Sequence, residues 1–256
     1  MASATRDGGP AIRVGIGGWD YDPWRGAFYP AGLARAKQLE HASRRVTAIE
    51  INATFYKLQK PELYARWAAA VPEGFRFAIK GSRFCTNRRV LGEAGEAVAR
   101  FCGQGLTELG DKLGPILWQL ADTKRFDAHE MRAFFALLPR AQDGVPLRHA
   151  VEVRHESFLD PAFTALASEA GVAIAFIDAE GAAPIDAPAP GLAYARLKRT
   201  SEEEPAGYSP EAIERWAALA QGWAAAGRET YVFMIGGHKI LAPAAAEALL
   251  ARLAAA

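Results

Sequence analysis

Eight short segments in which apolar residues recur at every second position constrain this chain more than any other feature. They span 12–19, 47–54, 75–80, 115–120, 151–155, 172–178, 192–198 and 230–235. A period of two puts alternate side chains on opposite faces of a strand. Between most of these segments lie helix signals: Pro61 at a first turn, the cap-plus-proline pairs Asp160-Pro161 and Ser209-Pro210, and Gly171 as a stop. Helices are predicted over 33–42, 61–67, 94–109, 129–138, 161–170, 210–226 and 243–253, and none over the Ala/Pro/Gly-rich stretch 181–190. Strand–helix alternation of this count in 256 residues predicts an α/β fold, a single (β/α)8 TIM-like barrel. An eight-stranded open sheet is the alternative arrangement of the same elements. Residues 1–11 are expected as a disordered lead-in and 12–256 as one barrel domain. Gly15-Ile-Gly-Gly18 is not a dinucleotide fingerprint, because a Trp/Tyr/Pro loop follows where a helix must begin.

In such a barrel helices cover the outer face of each strand, so the polar face turns inward, where an unpaired charge is expensive. The working end lies at the strand C-termini. The polar residues late in their strands are Glu50, Asn52, Lys80, Gln119, Glu152, Arg154, Asp178, Arg196 and Lys198, with His155 just beyond. Four cations among them face three carboxylates, a balance that favours a phosphate or carboxylate ligand. Arg154 and Arg196 suit bidentate capture of such a group. The same charges also fit mutual pairing that only stabilises the barrel mouth.

Glu50, Glu152 and His155 are the candidate acid–base catalysts, since a glutamate near a basic partner and a rim histidine suffice for proton transfer. Trp19, Tyr21, Asn52, Tyr56, Lys80, Gln119, Arg154, Arg196 and Lys198 are the candidate substrate-binding residues. The aromatic loop from Trp19 to Tyr29, with Phe55-Tyr56, is expected either to stack a base or sugar or to plug the barrel top. Glu50, Glu152, Asp178, His155 and His238 include the ligand types of divalent metals, but no H-x-x-x-H pair occurs and neighbouring cations compete for the carboxylates. No metal site is assigned and the cofactor is unknown. Ser82 and Ser157 lack the G-x-S-x-G context of a nucleophile elbow.

A net charge of +1 gives no global attraction to nucleic acid or acidic membranes, so any anion preference is local. Cys85 and Cys102 are expected as free thiols, no apolar run reaches the ~18 residues of a membrane span, and no signal peptide is visible, so the cytoplasm is the expected compartment.

The chain resembles the YecE-like family, a domain of unknown function. The matching segments are Gly17-Gly-Trp-Asp-Tyr21 with Trp24 and Phe28-Tyr-Pro30; Glu50-Ile-Asn-Ala-Thr-Phe-Tyr56; Gly74-Phe-Arg-Phe-Ala-Ile-Lys80; Leu113-Gly-Pro-Ile-Leu-Trp-Gln-Leu120; and Glu152-Val-Arg-His155 with Phe158. The resemblance implies a TIM-like barrel and no particular reaction. Where many members read Arg-Leu-His-Gly this chain has Arg196-Leu-Lys-Arg199, and where many read Phe-Asn-Asn-Asp it has Phe233-Met-Ile-Gly. The functional expectation is an enzyme, a hydrolase or lyase, acting on a phosphate-bearing nucleotide or nucleic-acid end by acid–base chemistry. The alternative is a non-catalytic binding protein for an anionic small molecule.

Overall fold

All eight alternating segments form strands in the computed structural model, which describes residues 11–181, 184–187 and 191–255. The strands are β1 (Ile12–Gly17), β2 (Ala48–Ile51), β3 (Arg76–Lys80), β4 (Leu113–Gln119), β5 (His149–Glu152), β6 (Val172–Ile174), β7 (Phe176–Asp178), β8 (Leu192–Leu197) and β9 (Glu229–Met234). Every pairing among them is parallel, in the order β6-β5-β4-β3-β2-β1-β9-β8-β7. The two ends of that order, β6 and β7, are halves of one segment separated only by Ala175, whose N–H donates to Val151 O at 2.8 Å. The predicted strand 172–178 is therefore two strands that pair opposite neighbours, and through them the sheet turns back on itself as a barrel.

Two apolar clusters follow from the period of two. The larger lies between strands and helices and holds Val14, Ile16, Ile49, Ile51, Phe77, Ile79 and Trp118. The smaller fills the barrel with Ala48, Ala78, Ala150, Ala173 and Ala175 opposite the bulky Tyr194, Tyr231 and Phe233. Small residues on one side of the ring make room for the rings on the other. Gly15 belongs to that small side, since a Cβ there would lie 2.0 Å from Ala48 O.

The helices Pro161–Ala170 and Pro210–Ala225 start where their caps predict: Asp160 accepts from Ala162 N at 2.9 Å and Ser209 from Ala212 N at 3.2 Å. The helix predicted over 94–109 is instead two pieces, Gly95–Cys102 and a 3-10 stretch Leu106–Lys112, because Gly105 between them takes φ 103°. The helix predicted over 33–42 begins as a 3-10 turn, Arg35–Lys37, before Gln38–Ser43. Short helices at Ala53–Tyr56 and Arg83–Thr86, directly after β2 and β3, were not legible in the periodicity. Much of the aromatic loop is packing: Trp24, Phe28 and Tyr29 are buried, and Trp24 Nε1 donates to Lys239 O at 3.0 Å.

Residues 1–10 of the expected lead-in lie outside the described residues, while Ala11 O accepts from Thr230 N at 3.1 Å. No helix among the described residues is long and apolar enough to cross a membrane. Cys85 and Cys102 are free thiols, and burial pushes both up to about 12.

Candidate anion-binding site

The interior layer of Ala48, Ala78, Leu117, Ala150 and Tyr194 is apolar. Two residues further along the same strands stand Glu50, Lys80, Gln119, Glu152 and Arg196. The alternation that seals the barrel thus delivers a polar layer at its C-terminal end. Register fixes the neighbours, with Glu50 opposite Ala78 and Gln119 opposite Glu152.

Arg196 organises the layer. Its Nε and Nη2 each donate to Glu50 at 2.9 Å, and its Nη1 donates to Glu152. Glu50 also accepts from the Tyr194 hydroxyl at 2.7 Å. Glu152 accepts further from Lys198 Nζ at 2.6 Å, Arg154 Nε at 3.0 Å and Gln119 Nε2 at 3.2 Å. Both glutamates are 0% exposed and Arg196 is 2% exposed. Burial alone would raise the Glu152 carboxyl, but Arg196, Lys198 and Arg154 overcome it and hold the group well below the usual carboxylate range. Burial would lower Arg196, and the two glutamates instead raise it. Both carboxylates are thereby committed to holding cations.

Above this layer opens a cavity of about 730 Å³. Lys80, Arg154, Arg196, Lys198 and Lys239 line it, against the single acid Asp20. Asp20 accepts from Arg35 Nε at 2.9 Å, so it does not offset them. Lys80 has no hydrogen-bond or ion-pair partner among the described residues and lies over the Phe55 ring at 4.4 Å. Burial first, then Arg196 and Lys198, lower its ammonium to about 8 against the pull of Glu50 and Glu152. Lys239 lies over the Tyr21 ring at 4.6 Å and is lowered by burial.

Of the expected binding residues, Trp19, Asn52, Tyr56, Lys80, Gln119, Arg154, Arg196 and Lys198 all line the cavity. Tyr21 does not. It packs edge-on to Trp24 and meets the site only beneath Lys239. Glu50 and Glu152 lie beneath the cavity wall. His155 caps the 3-10 turn Glu156–Leu159, its Nδ1 accepting from Ser157 N at 3.1 Å, and is not among the lining residues. Asp178 turns away to accept from the Tyr208 hydroxyl at 3.0 Å. His238 faces Glu202 at 3.7 Å. Lys239 and Trp67 lie on no alternating strand, since one opens the 3-10 turn Lys239–Leu241 after β9 and the other is on the helix Pro61–Ala70. Their only signal is general: the loops after barrel strands build the working face. Among the described residues no group of three or more His, Cys, Asp or Glu side chains is placed to hold a metal ion.

Residues 13–256 match the family described as "Protein of unknown function DUF72". The chain belongs to the DUF72 family. It is 28% identical over 149 residues to UPF0759 protein YecE of Escherichia coli K12, a match covering 57% of this chain and 50% of YecE. The chain thus spans about half the length of that relative. The resemblance to the YecE-like family is borne out.

Among solved structures, a DUF72 family protein from Thermotoga maritima superposes with a TM-score of 0.77 at 19% identity, covering 96% of this chain and 99% of that one. SacUVDE superposes at 0.53 with 12% identity, covering 94% and 99%. At such identities these likenesses show the barrel fold alone.

Proposed function

We propose that the cavity takes a phosphate-bearing ligand, a nucleotide or nucleic-acid end, and that the protein acts on it as a hydrolase or lyase through acid–base chemistry at Lys80. One observation carries this reading: five basic side chains line the cavity while both interior glutamates lie buried beneath it. Arg154 and Lys198 are half-tethered by Glu152 and present their remaining donors at fixed positions. Glu50 and Glu152 act as positioning residues for Arg196 and not as the acid and base, because their oxygens are already occupied by cations. Lys80, at about 8, is the cavity group that exchanges protons nearest neutrality. Its ammonium donates a proton to a leaving oxygen; its amine, once emptied, accepts one from water. The reducing cytoplasm is the compartment that fits two buried free thiols.

A second reading, a non-catalytic anion binder, draws on the complete pairing of both glutamates, which leaves the cavity no free carboxylate base. Calorimetric titration with inorganic phosphate, AMP and a short oligonucleotide tests the common part. Affinity should fall as pH rises through about 8, where Lys80 loses its charge. If none of the three binds, the anion site is withdrawn. Product analysis with phosphate esters then separates the readings: Lys80→Arg should retain binding and lose turnover, whereas a wild type that binds and never turns over is a binder.

A further inference from the structure

A second feature lies outside the cavity, at its rim. Tyr56 ends the short helix after β2 and Phe84 sits in the short helix after β3. Both rings are exposed, at 63% and 61%. The Arg83 guanidinium stands 5.9 Å from the centre of the Tyr56 ring and 5.4 Å from that of Phe84. Between these loops and the helix Gly95–Cys102 runs a groove of about 490 Å³, and Tyr56 lines both this groove and the cationic cavity. The two volumes therefore share a wall.

Large apolar rings in water need a reason when they gather in one groove. Leu58, 36% exposed, lies in the same groove, so the rings are not scattered singly. Apolar area alone would fit a protein partner as well. The charges decide against that: Lys57, Arg88 and Arg100 line the groove against the single acid Glu96, and Arg83 joins the two rings. Arg88 is held in place by donating to Phe84 O at 2.6 Å and Glu93 O at 3.2 Å. A partner with flat apolar faces on an anionic backbone matches rings interleaved with guanidinium groups. In a duplex those faces are already stacked on each other, whereas a single strand offers them to the protein.

We propose that Tyr56, Arg83 and Phe84 form a stacking shelf for single-stranded nucleic acid, along which a strand leads a phosphate into the barrel cavity. The proposal rests on reading that cavity as a phosphate site and names the substrate class it serves.

Fluorescence anisotropy with a short fluorescein-labelled oligothymidylate, beside a duplex of equal length, tests it. The single strand should bind more tightly than the duplex, and its affinity should fall with salt by a slope of about −0.7 per phosphate contacted. Tyr56→Ala/Phe84→Ala should weaken strand binding on the order of tenfold or more, with an unchanged melting temperature because both rings are exposed. Arg83→Ala supplies a second variant on the same shelf. Equal binding of strand by wild type and both variants, or a preference for duplex, overturns the shelf. Calorimetry with inorganic phosphate separates the two readings. Phosphate binding without strand binding removes the shelf and leaves the cavity site, whereas ring-dependent strand binding without phosphate binding leaves the shelf and removes the cavity site. Self-association lost in Tyr56→Ala/Phe84→Ala, seen by sedimentation in place of strand binding, would assign the rings to a second copy and also overturn the proposal.

Discussion

The two ends of the barrel interior carry the same residue types to different effect. At the N-terminal end Glu229 accepts from Arg13 Nε at 3.3 Å, the Tyr231 hydroxyl at 2.6 Å and Arg148. The surplus arginine donors there go to main-chain carbonyls, Arg13 to Gly74 and Arg76 Nη1 to Phe75 at 3.1 Å. At the C-terminal end two carboxylates meet Arg196, Lys198 and Arg154, and the surplus cation, Lys80, faces open volume instead of a carbonyl. A buried ion network is therefore no sign of function by itself. What distinguishes the C-terminal end is a cation without a partner among the described residues, beside space that a ligand can enter.

The largest expected effect breaks the C-terminal network at its centre. Arg196→Met leaves two fully buried carboxylates short of their shared partner and should cost about 3–5 kcal/mol in a denaturant melt. Adding Glu50→Gln to it should recover part of that loss, because Glu50 then carries no stranded charge while Glu152 keeps Lys198 and Arg154. At the other end Glu229→Gln should cost less, since its partner Arg148 has a side chain 36% exposed and stays hydrated, and buried Arg13 keeps its bond to Gly74 O. Equal losses at the two ends would erase the distinction between them. Acid should act on the same network: the stability from Glu152, whose carboxyl is depressed in the fold, is present above its unfolded value of about 4.3 and lost as pH falls below it.

Lys80→Met sharpens the comparison in the opposite direction. The fold lowers this ammonium from 10.5 to about 8, so the charged form is disfavoured relative to the unfolded chain. The penalty is fully present below about 8 and fades as pH rises toward 10.5. Replacing the lysine by an apolar side chain should therefore stabilise the protein at neutral pH by about 2 kcal/mol, with the gain shrinking through that window. Melts across the alkaline range measure it. A variant no more stable than wild type would mean that Glu50 and Glu152 already compensate Lys80, and the two ends would be equally self-contained.

Much of this contrast was legible in the chain, because it depends on local spacing. Glu50, Glu152 and Arg196 converge since each sits late on a period-two strand, and Pro161 and Pro210 mark helix starts through their own fixed backbone. The pairing was not legible. That one arginine satisfies two glutamates on β2 and β5, across 146 and 44 residues, depends on the barrel closing. Nor does alternation reveal the break at Ala175, which serves ring closure, or the role of His155, which is set by the 3-10 turn it caps. Lys239 follows the last strand and belongs to no alternating run, so only the closed ring brings it to the cavity.

The smallest effect on stability, and the one that tells most about the site, is expected for Arg154→Ala. Unlike Arg196, Arg154 has a side chain 31% exposed and spans from buried Glu152 to Asp122, itself 65% exposed. Its removal leaves Glu152 with Arg196, Lys198 and Gln119, and leaves Asp122 in water. The loss should therefore be about 1 kcal/mol, as for an exposed ion pair and not a stranded charge. Ligand binding is a different matter, because a guanidinium at the cavity wall contributes hydrogen bonds to an anion that no neighbour replaces. Phosphate affinity by calorimetry should fall about tenfold or more. A variant destabilised by several kcal/mol with phosphate binding intact would reverse the assignment. Arg154 would then belong to the barrel's internal pairing, as Arg13 and Arg148 do at the other end, and the cavity would lose one of the groups that make it a site.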